Sequence, residues 1–339
     1  MQKYNVLVLT DHSQHSAENS LYALVRALRQ NPRCGAVNVA TRANKLNTFF
    51  FDECNATNLY VSEVDDKFAF SANGAAFKNR LQRRSVRGYD VVWLRLPPPL
   101  SGKFLDYLSH VFADQIVIND PVGIWLTGSK RFLTNFPEWC PPMQLCTSVA
   151  DIVAFRDRFP IVLKPYREYG GRGIVRIDGD TVWMGQQKTD FANFIANYEK
   201  DPVEYLGVQF LKNVTAGDKR IIVVNGKIMG ASLRLPPNNS WICNVAMGGS
   251  SHFTKVEERE VKMIEAINEK LSGMGIVMYG VDTLTDDNGQ RVLSELNTTS
   301  IGGLPQIARL AGLPLVKQAT DLIWDYVVQK SINKHVVGH

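Results

Sequence analysis

The sequence has few cysteines, no long hydrophobic run and no strong excess of either charge. Its five cysteines are odd in number and form no Cys-x-x-Cys pair, which argues against a disulfide framework and against a zinc site. No stretch approaches the ~18 consecutive apolar residues that a membrane helix requires. The net charge of +5 over 339 residues is too small to indicate nucleic-acid binding. We therefore expect a cytoplasmic protein without a membrane or nucleic-acid partner. We also expect a homo-oligomer.

The pattern of the chain predicts a mixed α/β (α+β) protein with more than one domain. At roughly 100–200 residues per domain, the length corresponds to two or three domains. The apolar run Tyr4–Thr10 predicts a strand, and Leu21–Gln30 predicts a helix with Ser20 as its cap. Asp120-Pro121 marks a boundary, because the residue before a proline is pushed out of the helical region. The predicted domains are residues 1–120, 121–205 and 206–339.

Three further stretches complete the predicted organisation. From Gly207 to Thr299 the pattern indicates alternating strands and turns, and Leu315–Gln329 has the apolar period of a closing helix. A basic run has helical spacing and predicts a solvated helix face or a loop, with arginines at Arg80, Arg83, Arg84 and Arg87. Nothing in this run indicates a function.

A hairpin in the last third brings three oxygen-bearing side chains to one face. An Asp-Asp-Asn-Gly turn separates two strand-like runs, Val277–Thr285 and Gln290–Leu296. With the pairing centred on this turn, Asp282 lies opposite Leu293. Glu295 and Asn297 then follow on the same face, and such oxygens suit a hard divalent ion such as Mg²⁺. The alternative interpretation is a solvated polar sheet face.

An earlier hairpin carries two arginines. Asn225-Gly226 is a type I′ turn signal between two strand-like runs. With the pairing centred on this turn, Arg220 lies opposite Ala231, and Arg234 projects from the other face unless a β-bulge shifts the register. From spacing alone, two surface arginines with carboxylate neighbours are the simpler interpretation.

A glycine-rich loop follows a predicted strand. Gly170, Gly171 and Gly173 lack a Cβ, so their N–H groups can approach phosphate oxygens and the segment can act as a lid. Lys164, at the end of the preceding apolar strand, is suited to act as a point charge for phosphate. The alternatives are an ordinary turn and a strand-end lysine that reaches towards solvent.

Eight motifs occur along the chain in a fixed order. They are Asp120-Pro121 with Lys130, Val162-Leu163-Lys164-Pro165 with Gly170-Gly171, Gln209-Phe210-Leu211, Gly217-Asp218-Lys219-Arg220, Arg234-Leu235-Pro236, Asn244 with Gly248-Gly249, Gly280-Val281-Asp282 and Glu295-Leu296-Asn297. In this order and spacing, from about 119 to 310, the chain resembles the ATP-grasp domain of the bacterial glutathione synthetase family. The resemblance implies an ATP-grasp fold preceded by an N-terminal α/β domain. In that domain, Arg95 is similar to the first residue of the family's Arg-x-x-Pro-Pro.

The resemblance implies a role for each matched residue. The implied ATP-binding residues are Lys130, Lys164, Gly170, Gly171, Gly173, Gln209, Phe210 and Leu211. The implied ligands of two Mg²⁺ ions, which Mn²⁺ can replace, are Asp282, Glu295 and Asn297. The implied catalytic residues are Asp218, Arg220 and Arg234. The implied substrate contacts are Arg95, Arg234, Asn244, Gly248, Gly249, Gly302 and Gly303.

The implied reaction is a ligation in two steps. A substrate carboxylate attacks the γ-phosphorus of ATP to give an acylphosphate and ADP, and an amine then displaces phosphate to form an amide. The implied substrates are γ-glutamylcysteine and glycine. The chain departs from the family where Ile242 replaces an arginine and where 298–303 replaces Thr-Ser-Pro-Thr. The alternatives are a related ligase with another acceptor, such as a glutamate-adding or dipeptide ligase, and a non-catalytic ATP-binding regulatory protein.

Overall fold

The computed structural model describes residues 2–236 and 250–337, which form three β-sheets with flanking helices. The first sheet has the order β4-β3-β2-β1-β5-β6, in which β2, β1, β5 and β6 run parallel, β3 pairs antiparallel with β2, and β4 pairs antiparallel with β3. Its strands are β1 (Tyr4–Thr10), β2 (Cys34–Thr41), β3 (Asn58–Glu63), β4 (Gln82–Ser85), β5 (Val91–Arg95) and β6 (Ile116–Ile118). The predicted α/β beginning of the chain is confirmed.

The basic run is solvated, as predicted, and Arg80 and Arg87 lie in turns, but Arg83 and Arg84 lie in a strand rather than in a helix or loop. Gln82–Ser85 forms β4, an exposed strand at the edge of the sheet that pairs with β3, and a short 3₁₀ turn follows at Val86–Gly88. Both faces of this strand are open to solvent, so its arginines are hydrated as they would be on a helix. Charged side chains on an edge strand also discourage pairing with other chains.

The second sheet is antiparallel throughout, with the order β11-β10-β9-β8-β12-β7. Its strands are β7 (Met143–Cys146), β8 (Ile161–Pro165), β9 (Val175–Asp178), β10 (Thr181–Met184), β11 (Gln187–Asp190) and β12 (Tyr205–Gln209). Phe155 and Phe194, from two helices, pack with Leu163 and Ile177 in the core of this sheet. The glycine-rich loop connects β8 to β9. The predicted domain boundaries at about 120 and 205 stay a prediction.

The third sheet is also antiparallel, with the order β15-β14-β13-β16-β17. Its strands are β13 (Asp218–Val224), β14 (Lys227–Leu235), β15 (Ser250–Thr254), β16 (Met278–Thr285) and β17 (Arg291–Asn297). Alternate residues of β13 divide between two environments. Ile221 and Val223 face one core, whereas Ile222 and Val224 face another together with the C-terminal helices. Asp218 and Arg220 share the face of Ile222, so this face is apolar at one end and polar at the other.

Helices cover the sheets. They are α1 (Leu21–Gln30), α2 (Thr48–Phe51), α3 (Gly102–Val111), α4 (Pro121–Thr127), α5 (Val149–Arg156), α6 (Phe191–Tyr198), α7 (Glu258–Gly273), α8 (Leu304–Ala311) and α9 (Leu315–Val337). The prediction of strands and turns from Gly207 to Thr299 is wrong over α7, whose buried Met263, Ile267 and Leu271 recur at helical spacing. In the described part of the chain, no helix is long and apolar enough to cross a membrane.

Candidate active site

A cavity of about 340 Å³ lies between the second and third sheets, within the size range of small-molecule sites. It brings together most residues that the sequence singles out. The predicted residues that line it are Lys164, Gly170, Gly171, Gln209, Phe210, Leu211, Asp218, Arg220, Arg234, Asp282, Glu295 and Asn297. The second sheet therefore contributes the lysine and the glycine loop, and the third sheet contributes the ionic residues.

The hairpin of β16 and β17 has a different register from the predicted one. Asp282 pairs with Glu295 rather than with Leu293, which lies opposite Thr283. The register shifts between Asp282 and Thr283, because Ser294 is an extra residue in β17. The predicted common face is nevertheless present, since Asp282 and Glu295 are direct cross-strand neighbours and Asn297 lies two residues further on.

A second bulge decides where the two arginines point. Arg220 pairs with Ser232, not with Ala231 as the simple hairpin predicts, because the register shifts beyond Ile222. Asp218 pairs with Arg234 in the same shifted register. The bulge that was the condition for a shared face is therefore present, and both arginines line the cavity.

Four charged side chains form a chain of ion pairs across β14, β13 and β16. Arg220 donates to both carboxylate oxygens of Asp282, at 2.7 and 2.5 Å. Arg234 donates to both oxygens of Asp218, at 2.7 and 2.5 Å, and to Asp282 Oδ2 at 2.9 Å. The site thus holds two guanidinium groups beside each other with their planes fixed by carboxylates.

Burial and charge act differently on the two aspartates. Burial raises the pKa of Asp218 to about 6, although the hydrogen bonds from Arg234 oppose this rise. Burial has the same tendency at Asp282, but there Arg220 and Arg234 together hold the pKa well below its ordinary value. Asp282 is therefore the firmly ionised carboxylate of this group.

Two lysines approach the same region. Lys164 Nζ lies 3.3 Å from Ser294 Oγ and 3.4 Å from Ser294 O, and burial lowers its pKa although Glu295 opposes the shift. Lys130 is not among the residues that line the main cavity. It lines a small adjoining cavity together with Glu295, and its Nζ lies 3.3 Å from Glu295 Oε1. Lys130 also donates a hydrogen bond to the backbone oxygen of Glu168.

The glycine loop adopts backbone angles that require glycine. Gly170, Gly171 and Gly173 have φ of +68°, +82° and +67°, and side chains are strained in this region. Gly170 and Gly171 line the cavity, whereas Gly173 packs against Pro165, which a Cβ would approach to 3.0 Å.

The segment Gln209–Leu211 also lines the cavity. The N–H of Gln209 donates to Pro142 O at 2.9 Å, and the N–H of Phe210 donates to Pro160 O at 2.8 Å. Both N–H groups are therefore already used in hydrogen bonds within the protein. A purine base in the cavity would therefore meet other groups of this segment.

Some implied substrate residues lie elsewhere. Arg95 is only 3% exposed and does not line the cavity; its Nη2 donates to Ser20 Oγ at 2.9 Å and to Ile301 O at 2.7 Å. Ser20 correspondingly makes no side-chain cap for α1, because its hydroxyl is used in this contact. Gly302 and Gly303 precede α8, outside the lining of the cavity. Asn244, Gly248 and Gly249 lie outside the described residues.

Tyr169 and Ser294 are residues of the site that the sequence did not predict. The Tyr169 hydroxyl donates to Gly128 O at 2.8 Å, and its ring lies 5.3 Å from Lys130 Nζ. The signal for Tyr169 was its position directly before Gly170-Gly171. Ser294 had no signal, because its contact with Lys164 depends on the bulge in β17.

The donor set at Glu295 and Asn297 fits a divalent ion that is shared with phosphates. Glu295 lines the cavity with a side chain that is 30% exposed, and the Asn297 amide nitrogen donates to Asp282 Oδ2 at 3.2 Å, which directs its oxygen away from that contact. Within residues 2–236 and 250–337, no group of three or more His, Cys, Asp or Glu side chains is placed to hold an ion alone. Mg²⁺ sites of this kind take one or two carboxylates and complete their shell with phosphate and water.

Comparison with solved structures identifies the fold. The D-alanine–D-alanine ligase from Coxiella burnetii superposes with a TM-score of 0.63 at 14% identity, over 100% of this chain and 99% of that chain. The ATP-grasp ligase PsnB, complexed with minimal precursor, superposes with a TM-score of 0.58 at 12% identity, over 95% and 99%. The fold is that of the ATP-grasp ligases, as the sequence predicts.

Sequence comparison defines the family. The family described as prokaryotic glutathione synthetase, ATP-grasp domain, matches residues 129–312. The glutathione synthetase of Bradyrhizobium diazoefficiens is 32% identical over 253 residues, which are 74% of this chain and 76% of that protein. That of Parasynechococcus marenigrum is 30% identical over 246 residues, 71% and 76% of the two chains. The chain belongs to the prokaryotic glutathione synthetase family, and it is an ATP-dependent ligase that uses a divalent metal ion.

Proposed function

We propose that this chain joins γ-glutamylcysteine to glycine through an acylphosphate and so forms glutathione. The observation that carries the proposal is one cavity in which a half-buried lysine and a glycine loop lie together with two fixed arginines and a carboxylate–amide pair. This arrangement offers cationic groups for a triphosphate on one side and groups for an activated carboxylate on the other. The names of the two relatives support the same reaction.

ATP would lie between the second and third sheets. Lys164 and Lys130 neutralise its phosphates, and Gly170, Gly171 and Gly173 close over them as a lid. The segment Gln209–Leu211 forms the wall against the base. Closure of the lid excludes water, which would otherwise hydrolyse the acylphosphate and waste ATP.

Arg220 and Arg234 would act on the transferred group. Arg220 is placed to neutralise charge on the γ-phosphoryl group while the substrate carboxylate attacks it. Arg234 holds the acylphosphate or the carboxylate of the acceptor. Asp218 positions Arg234 through its two hydrogen bonds, so the guanidinium plane is already set before a substrate arrives.

Glu295 and Asn297 would hold the metal, with Glu295 shared between two Mg²⁺ ions and Asn297 bound to one. Mn²⁺ would replace Mg²⁺ at the same ligands. The ions supply Lewis acidity at the phosphate oxygens. As a further ligand, Asp282 would share its oxygens with the arginines, because Oδ1 accepts from Arg220 and Oδ2 accepts from both Arg220 and Arg234.

A different acceptor is the second candidate, and a specific observation favours it. Ile242 stands at a position where the family has an arginine, and the segment 298–303 departs from the family sequence as well. Both differences fall in segments implied to bind the substrates rather than ATP. A ligase of the same chemistry that adds glutamate or another amino acid would account for them.

One assay separates these functions. Purified protein is supplied with ATP, Mg²⁺ and a panel of carboxylate and amine pairs, and ADP release is followed. Release that requires both γ-glutamylcysteine and glycine supports the proposal. Release with another pair selects the different acceptor, and no release with any pair favours a non-catalytic ATP-binding protein.

The remaining parts of the proposal concern the state of the protein. We propose a homo-oligomer with domains divided at about residues 120 and 205. We also propose a cytoplasmic location, which the free thiols of Cys34, Cys54, Cys140 and Cys146 support. Light scattering of the purified protein and limited proteolysis test the first two points.

A further inference from the structure

Three adjacent parallel strands of the first sheet end at one edge. Thr10, the last residue of β1, pairs with Thr41 of β2 on one side and with Arg95 of β5 on the other. The strand order changes direction at β1. The chain passes from β1 through α1 to β2 on one side, whereas β5 lies on the other side of β1. Ligands of open parallel sheets bind outside the carboxyl ends of the strands at such a change of direction.

The residues that follow β1 and β2 at this edge carry opposite charges. Arg42 Nε lies 3.4 Å from Asp11 Oδ2, and the side chains are 26% and 18% exposed. Arg42 Nη2 donates to Pro97 O at 3.3 Å, and the Nε atom is buried with no hydrogen-bond partner among the described residues. A guanidinium group has five N–H donors, so Arg42 retains donors for a ligand. We call Asp11 and Arg42 the carboxyl-edge pair.

Arg95, the last residue of β5 at the same edge, contacts the chain segment that leaves the proposed metal site. Ser300 Oγ donates to Arg95 O at 3.2 Å, and Arg95 Nη2 donates to Ile301 O at 2.7 Å. Ser300 follows Asn297 by three residues, so their Cα atoms are at most about 11 Å apart. Three residues of chain thus lead from the proposed metal site to a contact with the last residue of β5 at this edge.

We propose that Arg42 binds the free α-carboxylate of the γ-glutamyl substrate and that Asp11 binds its α-ammonium group. The inference rests on the proposed function, in which the donor is γ-glutamylcysteine. Because its glutamate is linked through the side-chain carboxyl, both α-groups remain free and charged, and a guanidinium beside a carboxylate complements them. The carboxylate that reacts is at the other end of the molecule, towards Glu295 and Asn297.

The test compares variants at this edge with a matched control. Arg42→Gln and Asp11→Asn remove one charge each, and Arg42→Lys keeps the positive charge but lacks the planar guanidinium group. The control is Arg29→Gln, which removes an arginine that is paired with Asp66 elsewhere in the same domain. KM is measured for γ-glutamylcysteine, glycine and ATP. We expect Arg42→Gln to raise KM for γ-glutamylcysteine about tenfold or more, the cost of a lost charged hydrogen bond, with KM for ATP and glycine unchanged. Arg42→Lys should lie between wild type and Arg42→Gln, and Arg29→Gln should match wild type.

Two substrate analogues test each contact separately. Glutarylcysteine lacks the α-ammonium group, and γ-aminobutyrylcysteine lacks the α-carboxylate. Wild-type protein should discriminate against both, Asp11→Asn should no longer discriminate against glutarylcysteine, and Arg42→Gln should no longer discriminate against γ-aminobutyrylcysteine. These differences report on recognition, and a mere loss of stability would not produce them. Unchanged discrimination in both variants would overturn the inference.

Failure of the proposed function gives a different result. If wild-type protein releases no ADP with γ-glutamylcysteine and glycine, the proposed reaction is wrong, and the carboxyl-edge pair is then judged by calorimetric titration with γ-glutamylcysteine. Binding to wild type that is lost in Arg42→Gln supports the inference. Equal binding to both proteins, or no binding to wild type, overturns it.

Discussion

Arg220 and Asp282 are cross-strand partners, and the arginine donates to both oxygens of the carboxylate at 2.7 and 2.5 Å. Asp282 also accepts from Arg234 at 2.9 Å. Both guanidinium groups therefore donate hydrogen bonds to the carboxylate that the family resemblance assigns as a metal ligand. If Asp282 is a metal ligand, as we propose, metal binding there would compete with the Arg220–Asp282 pair and would free Arg220 for a phosphoryl group.

The first prediction tests this competition. Arg220→Gln should bind Mn²⁺ in the absence of nucleotide about tenfold more tightly than wild type, because one charged hydrogen-bond donor no longer holds Asp282. The same variant should lose turnover, because it lacks the charge for the phosphoryl group. Electron paramagnetic resonance of free Mn²⁺ measures the affinity, and Arg309→Gln, at an exposed ion pair with Glu18, is the control. Unchanged Mn²⁺ affinity would contradict the competition.

The second prediction concerns Glu295. Glu295→Ala should lower turnover by more than about 100-fold, since it removes the proposed ligand that both metal ions share. The readout is ADP release with the substrates that the panel identifies. Glu258→Ala, at an exposed acidic residue of α7, should retain full activity. Turnover near the wild-type value in Glu295→Ala would contradict the proposal that Glu295 is a metal ligand.

The third prediction concerns the bulge in β14. Gly230 has φ of +150°, and a Cβ there would lie 2.8 Å from Ile307 Cγ2. Gly230→Ala should therefore lower the free energy of unfolding by about 1–3 kcal/mol, measured by urea denaturation. Gly88→Ala is the matched control, because a Cβ at Gly88 meets no atom within 4 Å. Equal stability of the two variants would show that the bulge tolerates a side chain.

The fourth prediction concerns acid stability. Burial, with a smaller contribution from His12, lowers the pKa of His15 to about 4, whereas an unfolded histidine titrates near 6.5. Between these values the unfolded chain binds more protons, so the free energy of unfolding falls as pH is lowered from about 6.5 towards 4. His15→Gln should reduce this slope in denaturation experiments across that range. His110→Gln, at an exposed residue of α3, should leave the slope as in wild type, and an unchanged slope in His15→Gln would count against the prediction.

The sequence by itself determined the local elements and the family. Tyr4–Thr10 and Leu21–Gln30 form the predicted strand and helix with the predicted bounds, because apolar period and flanking polar residues are properties of neighbouring positions. The motifs around Lys164 and Glu295 identified the ATP-grasp family for the same reason, since each is short and its order along the chain is fixed. Helix α7 also has apolar residues at helical spacing, but the strand-like stretches before and after it led to a prediction of strands and turns.

Only the tertiary structure decided how these elements meet. The bulges at Ser294 and at Met229–Gly230 set which residues of two strands face each other, and a simple count from the turn misplaces both Asp282 and Arg220. Arg95, which resembles a substrate residue, is instead buried against Ile301, which lies 206 residues away. Register and burial depend on contacts between distant parts of the chain, and a one-residue shift turns a side chain to the other face. The identities of the charged residues are thus local information, whereas their meeting in one cavity is a property of the folded chain.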